Sequence, residues 1–176
     1  KKLVDRVQPT QEDQMVFLGD YVDRGDKVYE TVEFLISLKE KFPKTVCLMG
    51  NHEDMLLNAL NRQRMRDDLR IFMMNGGEST MRGYYNNQDE QKEQKPYDPY
   101  EWAFDDLPEH HQKFYNELKT MHVEGEFIFV HAGLKHNTPL DEQHDWDLMW
   151  LRETFMFNPM NHWDGKTIVH GHTPME

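Results

Sequence analysis

The chain has 176 residues, 38% of them hydrophobic, with a formal net charge of −12 and a single cysteine. That length suits one compact domain with a moderate core, and the charge excludes a nucleic-acid or anionic-membrane surface, which needs clustered Lys and Arg to displace counterions. An anionic substrate approaching so acidic a protein needs positive charge concentrated at its site, from bound divalent cations and one or two arginines. Cys47 excludes a disulfide framework, fits a reducing compartment and reads as buried strand filler. A cysteine-phosphatase loop would need an arginine where Glu53 stands. With no apolar run long enough to span a membrane and no signal-peptide core after Lys1-Lys2, the expected location is the cytoplasm.

Met15–Leu18 is a short apolar run ending at Gly19-Asp20, the pattern of a buried strand that opens into a loop. From Val28, apolar residues at Val32, Leu35, Leu38 and Phe42 keep helical spacing until Pro43 ends it. Thr45–Met49 reads as the next strand. Strand, helix and strand form a βαβ unit, which implies parallel strands with ligand-binding loops at their carboxyl ends, where Asp20 and Asn51 lie. Met55–Met74 predicts one or two helices interrupted by Gly76-Gly77, and Ser79–Tyr84 a short helix beyond. Asn86–Tyr100, polar with Pro96 and Pro99, reads as an exposed loop of high mobility. Pro108 starts a helix whose apolar face is Phe114, Leu118 and Met121. Glu124-Gly125-Glu126 then turns the chain into Phe127–Val130, a strand that delivers His131. Leu148–Phe157 predicts a buried helix with one charged member, Arg152, and Thr167–Val169 a last strand before His170-Gly171-His172.

Three polar blocks follow strand-type runs: Gly-Asp-Tyr-Val-Asp-Arg-Gly at 19–25, Gly-Asn-His-Glu at 50–53 and His-Ala-Gly at 131–133. Asp20 offers a carboxylate hard enough to bridge two divalent ions, Asn51 a neutral amide oxygen, and His131 an imidazole. Taken alone, Asp20 reads as well as a turn or helix-capping residue, Asn51 as a turn residue and His131 as a structural histidine; their company favours a metal site. Arg24 can grip two phosphate oxygens with its planar fork, or pair with Asp26 at the surface. His52 suits protonation of a leaving alkoxide, with Asp23 accepting from its other ring nitrogen. His170 and His172 alternate along an extended segment, so one of them should face a given metal, and His172 is the choice. Arg152 either pairs with a carboxylate such as Glu153 or serves as a second phosphate clamp. His110, His111, His122, His136, His144 and His162 lack a partner at metal spacing and read as solvated or structural, and the twelve methionines as core fillers.

Gly19–Gly25, Gly50–Glu53, His131–Gly133 and Gly171–Pro174 resemble successive signatures of the phosphoprotein phosphatase family, in particular its bacterial and phage branch, which holds lambda phosphatase and the symmetrical diadenosine tetraphosphate hydrolases. Asn75–Glu78 and Leu148–Glu153 resemble that branch too, so the likeness spans nearly the whole chain. It implies an α/β fold, a metallophosphoesterase-type β-sandwich flanked by helices in four αββα layers, built as a single domain over residues 1–176. It also implies a two-metal site, with manganese the usual ion and iron or zinc the substitutes. Asp20 would bridge both ions, Asn51, His131 and His172 would complete the second, Arg24 and Arg152 would bind phosphate, and His52 with Asp23 would form the acid pair. A hydroxide between the metals would attack phosphorus in line, with no phosphoenzyme intermediate.

The family also carries Gly-Asp-x-His-Gly on a first strand, and Asp5 and Asp13 are not followed by it. The chain is therefore expected to be a piece of a larger enzyme, lacking that strand and the closing strands. The leading activity is protein serine/threonine phosphatase, acting on a phosphorylated protein or peptide or on a small phosphoester. Dinucleoside polyphosphate hydrolysis on the same scaffold is the alternative, and a non-catalytic binding module that has lost the first metal is a second.

Overall fold

A computed structural model of the chain describes residues 1–63, 67–87, 97–156, 163 and 165–174. The described chain has the α/β class expected, with helices and mixed sheets. It divides into two compact units, each assembled from separate stretches: a helical unit of Lys1–Asp13, Tyr21–Lys44 and His52–Glu117, and a sheet unit of Gln14–Asp20, Thr45–Asn51 and Leu118–Glu176. Among the described residues no helix is long and apolar enough to cross a membrane.

The sheet unit starts with β1 (Val16–Phe17) and β2 (Val46–Cys47), which pair in parallel with Val16 opposite Val46 and Phe17 opposite Cys47. Cys47 is buried there, as its apolar neighbours predict. β3 (Met121–Glu124) and β4 (Phe127–Val130) form an antiparallel hairpin, and β5 (Thr167–Val169) adds to β4 in parallel. The hairpin's two-residue connection begins at Gly125 with φ 54°, the positive value tight hairpins favour at that position. Ile128, Val130, Leu134 and Leu148 are buried together, with Met121, Leu140, Phe155, Trp163 and Ile168 packed around them.

In the helical unit, α1 (Lys2–Val7) is followed by α2 (Val28–Lys41) and α3 (Asn51–Leu60), whose first residue belongs to the sheet unit. The stripe read along α2 is buried as expected: Val28, Val32, Leu35, Leu38 and, just past the helix, Phe42. Each such side chain contributes about 1.5–3 kcal/mol when fully withdrawn from water. α3 starts earlier than the Met55 expected, because Glu53 and Asp54 in its first turn complement the helix dipole. α4 (Asp68–Phe72) runs into a π-helical turn at Met73–Gly77, where Gly76 has φ 104°, and then into α5 (Glu78–Asn86). The stretch between α3 and α4 at 64–66, and most of the polar segment 86–100, namely 88–96, lie outside the described residues.

Two helices differ from expectation. α6 spans Glu109–Asn116 and buries Phe114, but Leu118 lies beyond its end and Met121 opens β3. Pairing of Met121–Glu124 with Phe127–Val130 overrides the local helical spacing. Leu148–Phe157 is not one buried helix: α7 (Asp145–Trp150) stops before Leu151 and α8 (Glu153–Met156) begins afresh, with Arg152 exposed between them and Phe157 outside the described residues. The Leu148 carbonyl, which a continuing helix would offer to Arg152, accepts instead from the Ala132 amide at 2.8 Å.

Glycines in one stretch allow opposite expectations. A Cβ at Gly77 would stand 2.5–2.7 Å from ring atoms of the fully buried Phe72, whereas one at Gly83, inside α5, would meet Tyr29 and Val28 at an ordinary 3.6–3.9 Å. Urea unfolding should therefore show Gly77→Ala destabilised by about 1–3 kcal/mol and Gly83→Ala stabilised by about 0.5–1 kcal/mol.

Candidate functional site

Four donor side chains of the sheet unit come just past the carboxyl ends of four strands: Asp20 after β1, Asn51 after β2, His131 directly after β4 and His172 after β5. His131 Nε2 is 3.2 Å from Asn51 Oδ1, 3.2 Å from His172 Nδ1 and 3.3 Å from Asp20 Oδ1. Asn51 Oδ1 is 2.8 Å from His172 Nδ1. The other ring nitrogen of His131, Nδ1, donates to the Leu18 carbonyl at 2.5 Å. A carbonyl only accepts, so this bond keeps a proton on Nδ1 and turns the Nε2 lone pair of the neutral ring toward its neighbours. His131 Nε2, Asn51 Oδ1 and Asp20 Oδ1 thus present lone pairs to one another while His131 is 2% exposed. A divalent cation among them removes that repulsion, and the mixed nitrogen and oxygen set suits manganese, iron or zinc. The residues present fit a metal.

The backbone is shaped to the same end. A Cβ at Gly50 would collide with the Asp20 carboxylate, and one at Gly19 would come within 2.7 Å of Gly50 Cα and 2.8 Å of His131 Nδ1. Six non-glycine residues among those described have positive φ, and four are Asp20 (59°), Asp23 (70°), Arg24 (60°) and His172 (61°). Each such departure costs on the order of 1 kcal/mol, and strained backbone falling on Asp20 and His172 in the sheet unit and on Asp23 and Arg24 in the helical unit points to function in each. The bend at His172 also replaces the extended alternation read for His170 and His172. His170 instead packs its ring edge-on against Phe155, with centroids 5.1 Å apart.

The acid-pair candidates lie in the helical unit. His52 Nδ1 is 2.6 Å from Asp23 Oδ2, with side chains 7% and 0% exposed. The carboxylate holds the Nδ1 proton, so the second proton of a charged ring sits on Nε2, where it can be given away. Two residues without an assigned role in the sequence fix this pair. Thr80 Oγ1 donates to Asp23 Oδ1 at 2.6 Å and accepts from the Asp23 amide at 2.8 Å. Glu53, fully buried, accepts from the amides of Tyr21 at 2.6 Å and Val22 at 3.2 Å. The sequence signal for Glu53 is its place at the end of the Gly-Asn-His-Glu block, whereas nothing in the sequence singles out Thr80.

Arg24 is exposed, its amide bonded to the Gly76 carbonyl at 3.2 Å and its Nε to the Asn75 carbonyl at 3.3 Å. Among the described residues its guanidinium forms no ion pair, with Asp26 or any other carboxylate, and the same holds for Arg152 and Glu153. Among the described residues both guanidinium groups therefore keep donors available for an anion.

Residues 1–176 match the family model described as calcineurin-like phosphoesterase, and the chain belongs to that family. The family hydrolyses phosphoesters with a dinuclear metal centre, so membership makes metal-dependent phosphoester hydrolysis the chemistry of this domain.

Replacing Thr80 by valine keeps its shape and strips Asp23 of two hydrogen bonds inside a buried site. Thr80→Val should lower unfolding free energy by about 1–3 kcal/mol in denaturant titration, and Thr80→Ser by much less.

Proposed function

We propose that this calcineurin-like phosphoesterase is a protein serine/threonine phosphatase using two divalent ions, with manganese the native metal. In this reading Asp20, Asn51, His131 and His172 would hold the metal. The observation that carries it is the convergence of Asn51 Oδ1, His172 Nδ1 and Asp20 Oδ1 on His131 Nε2 within 3.3 Å. When bound, the ions supply Lewis acidity toward the phosphoryl oxygens and a nucleophile at neutral pH.

The chain's own residues do the rest. Arg24 and Arg152 bind the phosphoryl oxygens through paired N–H donors and orient the ester for in-line displacement. His52 Nε2 gives its proton to the departing serine or threonine oxygen, and Asp23 holds the ring in place through Nδ1. Thr80 and Glu53 keep Asp23 and the backbone leading to it in position. The Val-Asp-Arg-Gly and Gly-Asn-His-Glu blocks support a phosphoprotein over a dinucleoside polyphosphate as substrate.

Two measurements test this. His52→Asn should reduce kcat on a phosphoserine peptide by about 10²–10⁴-fold while costing far less on an aryl phosphate, whose leaving group needs no proton. Given phosphopeptide and diadenosine tetraphosphate in parallel, the manganese-loaded enzyme should turn over the peptide faster. Faster turnover of the nucleotide would reverse the substrate assignment, and equal losses on both ester types would remove His52 from the acid role.

A further inference from the structure

Within the helical unit, α2 and α6 bring together a second group of ligand-type side chains. Glu33 Oε1 on α2 lies 2.7 Å from His110 Nε2 and 3.0 Å from His111 Nε2 on α6, close to the donor spacings around His131. All three atoms lie within 4.8 Å of one another. The sequence leaves His110 and His111 without a companion because Glu33 is far away along the chain and comes alongside only through helix packing.

The buried member of the group cannot turn. Tyr29 lies against the His111 ring with centroids 4.7 Å apart, Tyr84 meets it edge-on at 5.4 Å, and the Tyr84 hydroxyl is 2.8 Å from Nδ1. Nε2 is thereby aimed at Glu33. An imidazole whose far nitrogen is held by a hydrogen-bonding group is how proteins fix a ligating histidine. The Tyr84 hydroxyl also lies 2.9 Å from that of Tyr115, and either oxygen can donate. The hydroxyl chain can therefore run in the opposite direction, letting His111 carry its proton on Nδ1 and present a lone pair at Nε2.

Half-exposed His110 and Glu33 leave the outer side of the group open to water, which would complete a tetrahedral set.

We propose that Glu33, His110 and His111 form a second, structural site for a divalent cation of the zinc class, one that ties α2 to α6 and takes no part in phosphoester chemistry. Zinc alone is the probe. Metal-depleted full chain is dialysed against it and the bound metal counted for wild type, His110→Ala, Glu33→Gln and His131→Ala, with circular dichroism to confirm folding. Wild type should hold one equivalent more than His110→Ala or Glu33→Gln, and His131→Ala should retain that equivalent. Zinc should also raise the thermal midpoint of His131→Ala but not of the His110→Ala/His131→Ala double variant. Because His110 and Glu33 are about half exposed, both replacements should remain folded. Equal zinc counts in wild type and either folded variant would show a hydrogen-bonded cross-link and nothing more, and would overturn the proposal.

Discussion

His131 donates its Nδ1 proton to the Leu18 carbonyl, and with that bond the end of β4 is keyed to the end of β1. The bond sets which nitrogen of the ring carries a lone pair, and so what the ring can hold. Asn51 and Asp20 bring further ligand oxygens within 3.3 Å of that nitrogen. Burial of Ile128, Val130, Leu134 and Leu148 close by in sequence supplies the apolar stabilisation that holds such an arrangement in place. Gly19 and Gly50 matter for the same reason, since the two strand ends come as near as they do only where neither bears a side chain.

Asp23 is treated in a similar way in the helical unit. Its backbone is left-handed, its amide and one carboxylate oxygen are taken by Thr80, and its other oxygen is given to His52. A residue so thoroughly constrained has a single orientation, and His52 inherits it. Fixing a proton donor before substrate arrives removes an entropic cost from the step in which the proton moves.

Much of this was legible in the sequence because it rests on local pattern. Short apolar runs ending in Gly-Asp and Gly-Asn mark β1 and β2, and the three- and four-residue spacing from Val28 to Leu38 marks α2. What escaped depends on partners distant in the chain. Met121 has helical spacing from Phe114, yet it joins a hairpin whose hydrogen bonds no local preference can offset. The helix around Arg152 breaks because Ala132 takes the Leu148 carbonyl. Thr80 is an unremarked residue of α5 until Asp23 is folded against it, and the His110-His111 pair gains its third member only from α2. The extended alternation that sets His172 apart from His170 in the sequence gives way to a positive φ at His172.

The chain enters and leaves each compact unit more than once, and the peptide bond between Asn51 and His52 joins one to the other. Neither unit is therefore a cassette. No single excision recovers the sheet portion with Asp20, Asn51, His131 and His172, and none recovers the helical portion with Asp23, His52 and Thr80. On a ribosome the helical portion is complete once Glu117 has been added, whereas the sheet portion waits for Leu118–Glu176 and so closes last.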